Sequence, residues 1–319
     1  MAKALYKLAN SASINIIEGE FVKGIEPGFI FADFSGNEQF TIQANKRSKL
    51  SVDEVNRLSI KATTSTEWET TSKEDYDFGF TIIKNEIDHK HISKAILSRK
   101  KVIDLSVNAI QLFLDLCASY PDSHIFLTET LAGDLWIGAT PETLLSEFNG
   151  VFETMSLAGT KKELETPWTE KEYEEQRIVT NSIIGELYKV NVDPQLKDLE
   201  TVKAGAVYHL RNRIIFNCQY PTIDVAQALH PTPAISGYPK NQAIATIKIA
   251  ENHSRNYYCG FGGPYNQNGL THLFVNLRCA SISQNQICLY VGGGITKRSK
   301  LEEEWEECEK KAKSILNFL

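Results

Sequence analysis

Between His124 and Leu157 the chain offers four short runs of apolar or alternating residues: His124 to Thr128, Leu135 to Ala139, Leu144 to Phe148 and Val151 to Leu157. Turn residues punctuate them. Gly133 breaks the first pair, and Asn149-Gly150 breaks the last with the dipeptide that best tolerates the positive φ of a two-residue hairpin. This stretch is predicted to be sheet. Helical patterns surround it: Val107 to Ser119, with Ile110, Phe113, Leu114 and Cys117 on one side; Glu170 to Val190; and Ser299 to Leu319, with Leu301, Trp305, Cys308, Ala312, Ile315, Leu316 and Leu319 on one face. Ala95 to Ile103, Thr271 to Ile282 and Gln286 to Val291 read as further strands. Sheet interleaved with long helices predicts a mixed α and β architecture.

The 319 residues are enough to bury a sizeable core. One polar, linker-like stretch, Lys61 to Lys73, divides a short N-terminal part, 1–75, from a longer part, 76–319. The 34 basic and 40 acidic residues give a net charge of −6 with no long block of one sign, which argues against nucleic acid and membrane surfaces as partners. An anionic ligand would therefore have to be held by a few placed cations, backbone amides or a metal. The six cysteines stand singly, with no CxxC pair and no histidine at zinc-finger spacing, and are expected to be reduced thiols. The N-terminus lacks a charged start followed by an apolar run, and no stretch reaches ~18 apolar residues, so a cytoplasmic location is expected.

The functional signals are polar groups in apolar company. Glu175 falls within the arc of Ile178, Val179, Ile183 and Leu187, so its carboxylate is predicted to point inward. Glu304, Glu307 and Lys311 form a stripe beside the apolar face of the last helix. Glu142 follows Ala139-Thr140-Pro141, and Lys94 precedes the apolar Ala95-Ile96-Leu97. Gly292-Gly293-Gly294 follows a strand and is either a tight turn or a row of bare amides facing an anion. Each has an ordinary explanation when taken alone: a helix-flank acid, an i,i+4 pair, an N-terminal helix acid, a lysine extending from a strand end.

Their order and neighbours resemble the chorismate-utilising enzymes, the family of isochorismate, anthranilate, aminodeoxychorismate and salicylate synthases. The matching stretches run from Lys94-Ala-Ile-Leu-Ser-Arg99 through Gly138-Ala-Thr-Pro-Glu-Thr-Leu-Leu145, Ser156-Leu-Ala-Gly-Thr160 and Glu175-Gln-Arg-Ile-Val179. They continue with Val207-Tyr-His-Leu210, Leu229 to Pro239, Arg255 to Gly260 and Phe274 to Cys279, and end at Gly292 to Ile295 and Glu304-Trp-Glu-Glu307 with Lys311. Residues before about His91 show no matching motif, so 1–75 is expected to be a shortened, divergent part of the fold and 76–319 the catalytic domain.

The resemblance implies an α+β fold, with large antiparallel-rich sheets in a two-layer sandwich flanked by helices. It also implies a Mg²⁺-dependent isochorismate synthase serving menaquinone or siderophore biosynthesis. The water-using members are similar in carrying lysine at the position of Lys94, where aminating members carry glutamine. Lys94 and Glu142 then act as base and acid, and Glu175 and Glu307 bind the metal. Gly159, Thr160, Tyr258, Arg278, Gly292, Gly293 and Lys311 bind chorismate, and His230 supports the ring pocket. A monomer without a glutaminase subunit is expected. The alternatives are salicylate synthase, an aminating synthase, or a non-catalytic relative that binds a small anion.

Overall fold

The protein is described by a computed structural model for residues 1–204 and 207–319. The chain opens with β1 (Ala2–Lys7), β2 (Ile14–Lys23), β3 (Gly28–Ala32), β4 (Gln39–Leu50), α1 (Val52–Asn56), α2 (Lys73–Asp88), β5 (Lys94–Asp104) and α3 (Ala109–Ser119). Next come β6 (His124–Glu129), β7 (Leu135–Thr140), β8 (Thr143–Phe148), β9 (Val151–Lys161), α4 (Glu170–Lys189), β10 (Gln195–Ala204), β11 (Val207–Asn217) and α5 (Thr222–Leu229). It closes with β12 (Gly237–Tyr238), α6 (Lys240–Ala250), β13 (Phe261–Tyr265), β14 (Leu270–Val275), β15 (Cys279–Ile282), β16 (Gln286–Thr296) and α7 (Leu301–Leu316).

The four runs read from the sequence are β6 to β9, and both turns use the residues expected. Asn149 and Gly150 take φ of 53° and 80°, and Gly133 takes 83°. Among the described residues the strands hydrogen-bond without a break in the order β10-β11-β9-β8-β14-β13-β3-β4-β2-β1-β6-β7-β15-β16-β5-β12, and the paired strands are antiparallel.

This single sheet folds back on itself. Four strand spacings, about 19 Å, separate β3 from β6 along the sheet. Yet the rings of Phe31 and Phe126 are 5.6 Å apart, and Trp136 on β7 is 6.1 Å from Phe31. The two halves therefore face each other as layers. Strand alternation sends Phe126 and Trp136 into the aromatic core between the layers, and Ile125, Leu127, Leu135 and Ile137 into a second core. That second core also takes Phe80 and Ile83 of α2, Phe113 of α3, Ile247 of α6, and Cys308, Ala312 and Ile315 of α7, so these helices cover the outer face. Val179, Ile183 and Leu187 of α4 join the inner core, where α4 packs on β9.

Two local expectations change. The Thr271 to Ile282 run is two strands, interrupted where Arg278 adopts φ 47°. The three glycines are not a turn, because β16 continues through them to Thr296, paired with β5. The stretch 61–73 is hydrogen-bonded along the sheet, with Thr63 and Thr64 N–H groups on the Gly133 carbonyl, Trp68 N–H on the Gln286 side chain and Thr71 N–H on the Lys100 carbonyl. All six cysteines are free thiols, four of them buried. No described helix is long and apolar enough to cross a membrane.

Candidate active site

A cavity of about 300 Å³ is lined by parts of β5, β9, β11, β16, α4 and α7, together with the β7–β8, α6–β13 and β14–β15 connections and the loop before β12. It collects all but one of the site residues expected from the sequence: Lys94, Glu142, Gly159, Thr160, Glu175, Tyr258, Arg278, Gly292, Gly293, Glu307 and Lys311. His230 lies elsewhere. It is buried against Phe34 and Phe261, with Nε2 3.2 Å from the Phe34 carbonyl oxygen, and it does not line the cavity.

The glycine run explains how the cavity fits around β16. On β5 the even-numbered residues Ile96, Ser98, Lys100 and Val102 turn their N–H groups away from β16, to Ser236, Glu251, Thr71 and Thr70. Gly292 and Gly294, opposite Ser98 and Ile96, therefore direct their backbone groups to the far edge, beyond the last β15 pair at Tyr290. Gly293 sits opposite Leu97 in a hydrogen-bonded pair, so its amide is engaged in the ladder. What all three supply is the absence of a Cβ. A Cβ on Gly292 would stand 2.8 Å from the Tyr258 hydroxyl, one on Gly293 3.1 Å from Glu304 Oε2, and one on Gly294 2.7 Å from Lys94 Cε. Three bare positions make room for three side chains.

Lys94 begins β5 and lies across Gly294. Burial lowers its amine from the ordinary lysine range. Lys311 adds to that, while Glu175, Glu142 and Glu307 oppose it. Glu142 occupies the two-residue link where the chain leaves β7 for β8, a strand with different partners, and the crossing carries its carboxyl inside. No helix begins there. The residue is 5% exposed, its N–H is held by Thr140 Oγ1 at 3.3 Å, and its carbonyl accepts from Val275 at 3.0 Å. Burial raises the carboxyl from 4.5 to about 7, against the opposing pull of the Thr232 hydroxyl, 3.4 Å from Oε1, and of Lys94.

Opposite them, Glu175 lines the cavity from α4, whereas Glu174 turns to Arg177. On α7, Lys311 Nζ stands 2.8 Å from both the Gly292 carbonyl and Glu307 Oε1. Lys311 holds the Glu307 carboxyl below the usual range, and burial raises that of Glu304. Arg278 reaches the cavity from the β14–β15 connection, its carbonyl accepting from Ala139 N–H at 3.1 Å.

Three contributors escaped the sequence reading as site residues. Thr232, within the matched Leu229 to Pro239 stretch, is the hydroxyl partner of Glu142. Glu304 was visible in the α7 stripe but given no role. His209, within the matched Val207 to Leu210 stretch, points Nδ1 at the Gly159 carbonyl oxygen at 2.7 Å, so Nδ1 carries the proton. Burial lowers its ring to about 4, leaving it neutral, and its buried Nε2 has no hydrogen-bond partner in the protein. That is an acceptor placed beside a cavity.

Carboxyl-only donors suit a hard cation. Glu304 Oε2 and Glu307 Oε1 both reach over the bare Gly293, and Glu175 lines the same cavity from α4. Among the described residues no three potential ligands are gathered closely enough to hold an ion, and Glu307 is paired with Lys311.

The family model described as "Chorismate binding enzyme" matches residues 35–319. The isochorismate synthase MenF of Haemophilus influenzae is 28% identical over 248 residues, 73% of this chain and 57% of that protein. The isochorismate synthase EntC of Escherichia coli K12 is 29% identical over 250 residues, 71% of this chain and 62% of that one. These matches thus span about three-fifths of the relatives' length. In fold the chain is similar to a putative 2,3-dihydroxybenzoate-specific isochorismate synthase, DhbC, from Bacillus anthracis. The TM-score is 0.84 at 20% identity, covering 99% of this chain and 96% of that one.

Proposed function

The chain belongs to the chorismate-binding enzyme family, and from that premise we propose that it converts chorismate to isochorismate. The observation that carries this reading is a pair of opposite displacements in one cavity: a lysine driven towards its neutral amine and a carboxyl driven towards its protonated form. Addition of water at C2 with departure of the 4-hydroxyl needs a base at one end and an acid at the other. Lys94 takes a proton from the attacking water as the C2–O bond forms. The ring double bonds shift, and Glu142 gives its proton to the 4-hydroxyl, which leaves as water. Turnover ends with Lys94 protonated and Glu142 ionised, and a proton must pass back before the next cycle.

Chorismate carries two carboxylates, and this chain has a negative net charge, so local cations must do the holding. Arg278, Lys311 and the outward amide of Gly292 suit the carboxylate of the enolpyruvyl arm. Gly159 and Thr160 bound the ring side, and Tyr258 also lines the cavity. The His209 Nε2 lone pair suits a substrate hydroxyl. Glu175 and Glu307, with Glu304 beside them, would hold Mg²⁺, whose charge when bound offsets that of the ring carboxylate and of the glutamates themselves. With water as the nucleophile, no glutaminase subunit is called for, and a monomer suffices.

Purified protein, chorismate and Mg²⁺, with products separated by chromatography, test the assignment. Isochorismate is expected. Salicylate with pyruvate would make the protein a salicylate synthase, product formation only with ammonia would make it an aminating enzyme, and no product at all would leave a chorismate-binding relative without the chemistry.

The metal reading has its own test. Mg²⁺ and chorismate added together are expected to raise the melting temperature of the parent, since a ligand at 100 times its Kd stabilises by about 2.7 kcal/mol. Glu307→Gln should lose most of that rise. An unchanged rise would remove Glu307 from the metal set.

A further inference from the structure

We propose that Arg255, which does not touch the cavity, is a positioning residue that holds the base and the acid in register by tying the strand of Lys94 to the loop of Thr232. The inference rests on the roles given above to Lys94 and Glu142.

Arg255 is 4% exposed and pairs with Glu251, at the end of α6, through two oxygens: Nε to Oε2 at 2.8 Å and one terminal nitrogen to Oε1 at 2.7 Å. The guanidinium then reaches two carbonyls from different elements, Ile96 on β5 at 2.8 Å and Ile235 in the 230–238 loop at 2.9 Å. Glu251 adds a further link to β5 by accepting the Ser98 N–H at 2.7 Å. Phe34 lies under the guanidinium plane at 4.5 Å.

The two carbonyls matter because of what lies along the chain from them. Ile96 follows Lys94 by two residues on the same strand, so both project to the same side of β5. The loop runs from Thr232, whose hydroxyl holds Glu142, to Tyr238, which pairs with Lys94 in the β5–β12 ladder. Arg255 pins this loop near its middle, where Ile235 itself forms cavity wall. Four of the five guanidinium donors are used, in a planar fork. A lysine would keep the charge but could not span both carboxylate oxygens and both carbonyls.

The predicted consequence is legible at Glu142. The groups facing its carboxyl are the Thr232 hydroxyl from the loop, the Lys94 amine from β5 and the Cys259 thiol from the segment after Arg255. The Thr232 bond lowers the pKa of Glu142, so loosening the loop should raise it. Activity requires protonated Glu142 together with neutral Lys94, so the limb of the profile that Glu142 sets should move to higher pH along with its carboxyl titration.

The test compares parent, Arg255→Lys, Thr232→Val and the double variant. The kcat–pH profile is measured alongside direct titration of the Glu142 carboxyl by infrared difference spectroscopy against Glu142→Gln. Arg255→Lys is expected to lower kcat more than it changes KM. It should shift both the limb and the carboxyl titration upward, as Thr232→Val does, with the double variant shifting no further than the larger single one. A profile scaled down without displacement, or shifts that add in full, would overturn the proposal. Should Arg255→Lys fail to fold, the isosteric Glu251→Gln is measured instead, with a smaller shift in the same direction expected and no shift overturning the idea. The infrared titration needs no turnover. A parent that leaves chorismate unchanged would therefore defeat the proposed function while the link from Arg255 to Glu142 was still judged.

Discussion

Glu142→Gln should lose turnover by about 10²–10⁴-fold, the range a positioned general acid contributes, and should become more stable than the parent above neutral pH. The carboxyl stands at about 7 against an ordinary 4.5. The folded state therefore keeps its proton after the unfolded chain has released it. Between those two values stability falls as pH rises, because the unfolded state gains by ionising and the fold does not. A displacement of this size corresponds to about 3 kcal/mol at pH 8, and it vanishes near pH 4. Glutamine is neutral throughout and can still accept from Thr232. Denaturation of parent and variant at pH 4.5 and pH 8 is the measurement. Matching stabilities at the lower pH and a more stable variant at the higher one are expected. If the two curves run parallel, Glu142 is ionised and well paired at neutral pH, and it is not the acid.

The same burial explains what could be read in advance. The hairpins of β6 to β9 were legible because strand alternation and the Asn149-Gly150 turn are local properties. The way the sheet folds back was not, since Phe31 and Phe126 meet across four strand spacings and no local pattern encodes that distance. Lys94, Glu142 and Glu175 stood out only as polar groups in apolar surroundings, and their chemistry came from the resemblance. Local patterning left Glu142 open between a helix start and a strand end; the tertiary path of β8 decides it, carrying the next residues into a ladder with β14 and β9.

The glycine run shows the limit most clearly. A sequence of three glycines suggests a turn or exposed amides, whereas here the need is space, which depends on side chains from Lys94, Tyr258 and Glu304, far apart in the chain. Thr232 and Arg255 were harder still. One acts through a single hydroxyl and the other through carbonyls of two other elements, so neither leaves a periodic trace.

Lys94→Ala and Lys94→Arg separate a base from a cation that merely binds. If Lys94 only attracted a carboxylate, arginine would retain much of the activity. If it takes the water proton, arginine should be as inactive as alanine, because a guanidinium stays protonated at any working pH. Both variants are expected to fall by about 10²–10⁴-fold in kcat, while Lys94→Ala still binds chorismate with Mg²⁺, as followed by calorimetry. Small primary amines added to Lys94→Ala should restore part of the rate in proportion to their free-base concentration. The direction of the lysine's own displacement argues for this outcome: burial and Lys311 both disfavour its protonated form, despite three nearby carboxyl groups. An active Lys94→Arg, or rescue that follows the protonated amine instead, would turn Lys94 into a binding residue and leave the attacking water without its base.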